Sequence, residues 1–225
     1  LLHVSTCYVC GMRSGRIAED LSPPRSNGDY EAFQLLEQLQ AASTQELEQG
    51  ADSRALIDRG MSLARKLGWN DTYTMTKWLG EQLLVSQGAD LPLIILRPAI
   101  IESAKREPQV GWIDGLRMAD PLVMAFGRGQ LDCFPADPRV KIDFIPVDLV
   151  ANGMIVALAS SEAKAGLSLY QLGSSDCNPL SLEYFLELLE QAYEQRPMRD
   201  GFGAALLPRS YRALDPKTFN EELHR

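Results

Sequence analysis

The sequence predicts an α/β fold, a parallel sheet flanked by helices. Three observations predict it. Residues 91–96 are apolar at every position, as in strands covered on both faces, and residues 1–8 form a similar short apolar run. Between these runs the apolar residues recur with helical spacing, which supplies the long crossover that parallel neighbours need. A further helix-then-strand pair, 146–158 and 167–172, repeats the alternation.

In chain order, residues 1–8 read as a buried strand, with Gly11 and Gly15 punctuating the loop after it. Residues 21–28 form a Pro- and Ser-rich loop. Asp29 opens an amphipathic helix with Phe33, Leu35, Leu36, Leu39 and Ala42 on its apolar face. A second helix spans 53–67, with Leu56, Ile57, Met61 and Leu63 inward and Gly68 at its C-terminal cap. Asn70 or Asp71 caps a third, which buries Trp78, Leu79 and Leu83 and ends near Gln87. Pro98 closes the strand at 91–96, because it has no N–H for the ladder. A loop at 101–110 precedes short helices at 112–117 and 121–126 and a turn at 127–129. Residues 141–145 alternate as a strand, Pro146 and Asp148 start the helix at 146–158, and Ser181 caps a helix at 182–193. The tail from Arg199 is expected to be helical.

At 225 residues the chain can form one sizeable domain, or a domain and a small satellite. Its net charge of −8 and the absence of a basic run argue against nucleic acid as a partner. No apolar run reaches the roughly 18 residues of a transmembrane span. Cys7 and Cys10 spell C-x-x-C, but no second pair follows, and His3 and His224 do not complete a zinc pattern. In a strand the two thiols point to opposite faces, so they read as small core residues. That usage fits a reducing, cytoplasmic setting, free or peripheral to a membrane.

The chemistry centres on Tyr73 and Lys77, four residues apart on a predicted helix and therefore on one face. An ammonium beside a phenol favours the phenolate and eases proton transfer to or from a carbonyl oxygen near neutral pH. The same spacing also describes an ordinary surface pair. In a parallel sheet, ligands sit beyond the carboxyl ends of the strands, where Ser5, Thr6, Arg97 and Pro98 fall.

The strand ending in Ser5-Thr6, the Tyr73-x-x-x-Lys77 helix and the strand ending in Arg97-Pro98 together resemble the short-chain dehydrogenase/reductase family, extended type. The ordered series narrows the resemblance: His3-Val4-Ser5-Thr6-Cys7-Tyr8, Leu96-Arg97-Pro98-Ala99-Ile100-Ile101, Gly111-Trp112-Ile113-Asp114 and Pro146-Val147-Asp148. Over roughly residues 1–180 the chain is similar to the fatty acyl-CoA reductases.

The resemblance implies a Rossmann-like domain whose catalytic half is 1–100. It makes 101–225 a mostly helical substrate-binding part, interleaved with late Rossmann elements at about 141–172. It implies NADPH or NADH as cofactor and a long-chain acyl thioester on coenzyme A or an acyl carrier protein as substrate. Tyr73 would be the proton donor, Lys77 would hold the nicotinamide ribose, and Thr6 would hydrogen-bond the reacting oxygen. Ser5, Tyr73, Lys77, Arg97, Pro98, Ala99, Ile100 and Ile101 would contact the cofactor, although Arg97 equally suits a plain strand terminus. Trp112, Ile113, Leu116 and Met124, with Met118, Leu122 and Phe126, would line an acyl groove, and Lys105, Arg106, Arg117 and Arg128 could meet phosphates.

The chain departs from the family in having no G-x-G-x-x-G or similar phosphate loop. This leads to the expectation of a fragment that lacks the glycine-rich half, holds cofactor poorly alone and self-associates through an exposed sheet edge. Other extended reductases, sugar-nucleotide epimerases and a non-catalytic module are the alternatives.

Overall fold

The structure, a computed structural model, describes residues 1–24, 31–88, 90–116, 119–131, 133–161, 166–206, 212–215 and 218–219. The chain divides into two compact units, Leu1–Ala99 with Val150–Leu172, and Ile100–Leu149 with Gly173–Arg225.

The first unit is built on a parallel sheet in the order β1 (Leu2–Val4), β2 (Pro92–Pro98), β7 (Gly166–Leu172). Val4 pairs with Leu96, and Leu96 with Tyr170. β2 is buried from Leu93 to Pro98, as its unbroken apolar run requires. The crossover from β1 to β2 carries α1 (Ala32–Glu48), α2 (Ser53–Leu67) and α3 (Thr72–Gln87). Asp52 caps α2, and Gly68 closes it at φ 103°, a left-handed position that glycine enters without strain. The core of this unit joins Val9, Leu35, Ala64, Leu67, Trp69, Met75, Trp78 and Leu79. Trp69 can be fully buried because its indole N–H donates to the Val9 carbonyl at 2.9 Å, and its ring lies 5.1 Å from that of Trp78.

The second unit gathers Phe126, Leu182, Leu186 and Leu189 into one apolar cluster. It contains α4 (Asp120–Gly127), α6 (Leu182–Gln195) and three two-stranded ladders. β3 (Ile100–Glu102) runs parallel to β6 (Phe144–Pro146), and β4 (Cys133–Pro135) parallel to β9 (Arg212–Leu214). β5 (Lys141–Ile142) is antiparallel to β8 (Leu180–Ser181). Gly127 lets α4 approach α6, since a Cβ there would lie 2.3 Å from the Tyr193 ring. The Tyr193 hydroxyl donates to the Val123 carbonyl at 2.9 Å, and burial pushes it up from its ordinary range. α5 (Val147–Ser160) begins in this unit and continues in the first. Among the described residues, no helix is long and apolar enough to cross a membrane.

Several elements differ from the sequence expectation. The first strand stops at Val4, and Cys7–Cys10 form a 3-10 turn capped by Thr6, so the two thiols are not on opposite faces of a strand. β2 runs through Pro98, which pairs in register with Leu172. Ile94 and Leu96 bond toward β1, so by alternation the donor that Pro98 lacks faces a side where β1 has ended. Residues 112–116 are not helical, because Gly111 and Gly115 take φ of 80° and 79°. Ile100 to Glu102 form a strand rather than opening the loop expected from 101. Asp143 splits the strand expected at 141–145, since its carboxylate accepts from the backbone and hydroxyl groups of Ser174 and Ser175. Among the described tail residues, an Arg199–Ala205 bridge and β9 stand where a helix was expected, and residues 218–219 are helical. Ile57 is exposed, and Phe126 is core. Asp29, Arg117 and Met118 lie outside the described residues.

Candidate active site

β1 delivers the chain to Ser5 and Thr6 at its carboxyl end. Thr6 has extended backbone, φ −153° and ψ 149°, and caps the 3-10 turn by accepting from the Tyr8 N–H at 3.3 Å. The bond uses a lone pair, so the Thr6 hydroxyl hydrogen remains able to donate. Thr6 is buried, and the Ser5 hydroxyl beside it is buried with no hydrogen-bond partner.

α3 starts at Asp71, whose carboxylate accepts from the Thr74 N–H at 2.7 Å and the Thr74 hydroxyl at 2.8 Å. This cap fixes the first turn, on which Tyr73 stands, and leaves Tyr73 55% exposed. Lys77 follows one turn later. Its ammonium donates to the Val4 carbonyl at 3.4 Å and lies 5.8 Å from the centre of the Tyr73 ring. The Tyr73–Lys77 pair is thus tied to the carboxyl end of β1, two residues before Thr6. α3 also packs on the 3-10 turn that Thr6 caps.

Arg97, at the end of β2, is turned away from the strand ends. Its Nε and Nη2 donate to Glu81 Oε1 and Oε2 at 2.9 and 2.6 Å, with both side chains buried. The guanidinium is therefore engaged inside the first unit. Pro98 and Ala99 complete the β2 end, and Ala99 N–H donates to the Leu172 carbonyl at 2.9 Å. Ile100 and Ile101 belong to β3 in the second unit.

The substrate-groove candidates also lie in the second unit. Trp112 is 39% and Leu116 62% exposed, Ile113 and Met124 are half-buried, and Leu122 packs on the Phe126 cluster. Lys105, Arg106 and Arg128 are exposed. Two residues without an assigned role in the sequence reading are structurally prominent. Asp148 accepts the backbone N–H groups of Lys105, Arg106 and Glu107 at 3.0, 2.9 and 3.2 Å, which hold its carboxyl below the usual range. Its place in the first turn of α5 was legible, but its capture of a loop some forty residues earlier was not. Glu81 was signalled by its spacing, one turn beyond Lys77 and two beyond Tyr73.

The family model described as "Male sterility protein", an NAD-binding domain, matches residues 1–154. The chain belongs to this male sterility protein family. A probable fatty acyl-CoA reductase 4 of Arabidopsis thaliana is 40% identical over 212 residues, which cover 89% of this chain and 43% of that protein. The chloroplastic fatty acyl-CoA reductase 2 of the same plant is 37% identical over 227 residues, covering 92% of this chain and 36% of that protein. The chain thus spans less than half the length of these family relatives. Among solved structures, a UDP-glucuronic acid 4-epimerase from Bacillus cereus, in complex with UDP-glucuronic acid and NAD, superposes with a TM-score of 0.51. The match is at 17% identity and covers 99% of this chain and 54% of that one, and it shows the fold, a Rossmann-like one.

The residues of this family member suit a nicotinamide cofactor. A buried hydroxyl without a partner, Ser5, stands at the carboxyl end of a parallel strand. Lys77 uses one of its three donors on Val4 and retains others for a ribose.

Proposed function

We propose that this chain carries the catalytic residues of an NAD(P)H-dependent reductase of fatty acyl thioesters, on coenzyme A or an acyl carrier protein. The observation that carries the reading is the juxtaposition at the end of β1. A half-exposed phenol and an ammonium beside its ring stand on α3, the ammonium bonds the Val4 carbonyl, and α3 packs on the turn capped by a Thr6 hydroxyl that is free to donate.

Reduced nicotinamide, when bound, supplies the hydride. Ser5 and Lys77 would hold the cofactor, with the backbone of Pro98 and Ala99 against it. As negative charge grows on the thioester oxygen, the Tyr73 hydroxyl donates its proton there. The Thr6 hydroxyl donates a hydrogen bond to the same oxygen, an interaction that strengthens in the transition state. Lys77 favours the phenolate that Tyr73 becomes, which lowers the cost of the transfer. The Tyr73 phenolate takes the hydroxyl proton back as the carbon–sulfur bond breaks, so the thiolate leaves and an aldehyde remains; with a second reduced nicotinamide supplying hydride, Tyr73 donates its proton again and the alcohol forms. Exposed apolar Trp112 and Leu116 suit an acyl chain, and Lys105 and Arg106 suit phosphates.

The test is NADPH consumption by the full-length protein with palmitoyl-CoA, with the products resolved by chromatography. Oxidation of NADPH matched by hexadecanal or hexadecanol is expected. NADPH oxidation with a UDP-4-keto-sugar but not with the acyl thioester would contradict the reading.

A further inference from the structure

Glu81 stands four residues after Lys77 on α3, the spacing at which a helix joins an ammonium to a carboxylate. In the structure it does not take Lys77. Its carboxylate is buried and held in two bonds by Arg97, which reaches across from β2. Lys77 points instead to the Val4 carbonyl and the Tyr73 ring. The carbonyl of Arg97 also accepts the Cys7 thiol at 2.9 Å, which ties β2 to the turn that Thr6 caps. One residue therefore connects to both elements that present the catalytic groups.

We infer that Arg97 is a positioning residue, which occupies Glu81 and thereby leaves the Lys77 ammonium beside Tyr73. The inference rests on the proposed function, and on the geometry of a pair that is complete within the first unit. A planar guanidinium suits the task, since it takes both carboxylate oxygens at once and satisfies the buried charge where it stands. Without it, the buried carboxylate must find another cation or a proton. The nearest cation along the helix is Lys77. The other charged and titratable groups around this cluster are His3 on β1, Cys7 and Cys10 on the turn, Arg13 after it, and Tyr73 on α3. His3 feels both Lys77 and Glu81.

The consequence has a sign. In the reductive direction Tyr73 must carry its proton, so the rate falls as pH rises through its titration. A lysine drawn toward Glu81 supports the phenolate less, so this alkaline limb moves to higher pH while the rate near neutrality drops. A role confined to stability lowers the amount of active protein and leaves the limb in place.

The experiment compares the full-length wild type with Arg97→Gln, Arg97→Met and the double variant Glu81→Leu/Arg97→Met. Arg97→Gln keeps hydrogen bonding without charge and serves where Arg97→Met does not fold. For the single variants the expected result is a loss of about tenfold in kcat. Their alkaline limb is expected to rise by on the order of one pH unit. The double variant, which has no carboxylate to compete for Lys77, is expected to return the limb to its wild-type position. Single variants that fold and keep the wild-type limb overturn the inference, as does a double variant whose limb stays with the singles. If the wild type does not reduce acyl thioesters, the proposed function fails separately. The positioning role is then tested on ring-labelled tyrosine by NMR, with Tyr73 assigned by Tyr73→Phe. The same order of titration midpoints supports it, and coincident midpoints overturn it.

Discussion

The Lys77 ammonium lies 5.8 Å from the centre of the Tyr73 ring while donating to the Val4 carbonyl at 3.4 Å. Among the described residues the ammonium forms no ion pair, so its charge is free for the proposed part beside the phenol. Lys77→Met removes the charge and one of the proposed ribose donors together. A loss of about a hundredfold or more in kcat/KM for acyl-CoA reduction is expected, with a higher KM for NADPH. A variant with unchanged KM and kcat would remove Lys77 from the site.

Thr6 has two separable tasks, because its oxygen accepts from Tyr8 while its hydrogen is free to donate. Thr6→Ser preserves both and is expected to retain most activity. Thr6→Val removes both, and a loss on the order of a hundredfold in kcat is expected, comparable to removal of one oxyanion donor. Steady-state kinetics on variants with matched circular dichroism checks this. A Thr6→Val enzyme with wild-type kcat would leave Thr6 only the capping role.

Burial, and then the Lys77 ammonium, hold the His3 imidazole below its ordinary value of 6.5, against a smaller raising pull from Glu81. The unfolded chain therefore takes up this proton more readily than the folded one. The stability at stake is fully present above the ordinary value, and it is lost as pH falls from there toward the lower folded value. The melting temperature is expected to fall more steeply in the wild type than in His3→Gln between about pH 7 and pH 5. Scanning calorimetry across that range reads the difference. Parallel slopes would mean that His3 titrates alike in both states.

Gly11 holds φ at 63°, and a Cβ there would lie 2.3 Å from the Gly68 carbonyl oxygen, which itself accepts from Met12 N–H at 2.9 Å. Gly11→Ala is expected to destabilise by about 1–3 kcal/mol, since backbone rather than a flexible side chain must move. Gly80, inside α3, has nothing within 4 Å of its would-be Cβ. Gly80→Ala is expected to stabilise by up to about 1 kcal/mol. Urea unfolding monitored at the tryptophans checks both signs.

Much of the fold was legible because single residues announce it. Asp71 caps α3, Gly68 ends α2, Ser181 caps α6, and the apolar run of β2 reads as a strand buried on both faces. The elements misjudged were those decided by distant partners. Residues 7–10 carry strand-like side chains, yet the Thr6 cap and Trp69, whose indole takes the Val9 carbonyl, hold them as a turn. Asp143 interrupts an alternating segment because Ser174 and Ser175 reach its carboxylate from thirty residues away. In the site, the Tyr73–Lys77 spacing could be read from a helix template alone. The engagement of Arg97 could not, because a buried ion pair between β2 and α3 has no local signature.

The central claim is that Tyr73 passes the proton in acyl thioester reduction, and Tyr73→Phe tests it most directly. The substitution removes one oxygen from a half-exposed side chain, so the fold is expected to persist. In the full-length protein, single-turnover NADPH oxidation with palmitoyl-CoA is predicted to slow by at least about a hundredfold, with cofactor binding kept within a few-fold. A Tyr73→Phe protein that oxidises NADPH at the wild-type rate would contradict the account.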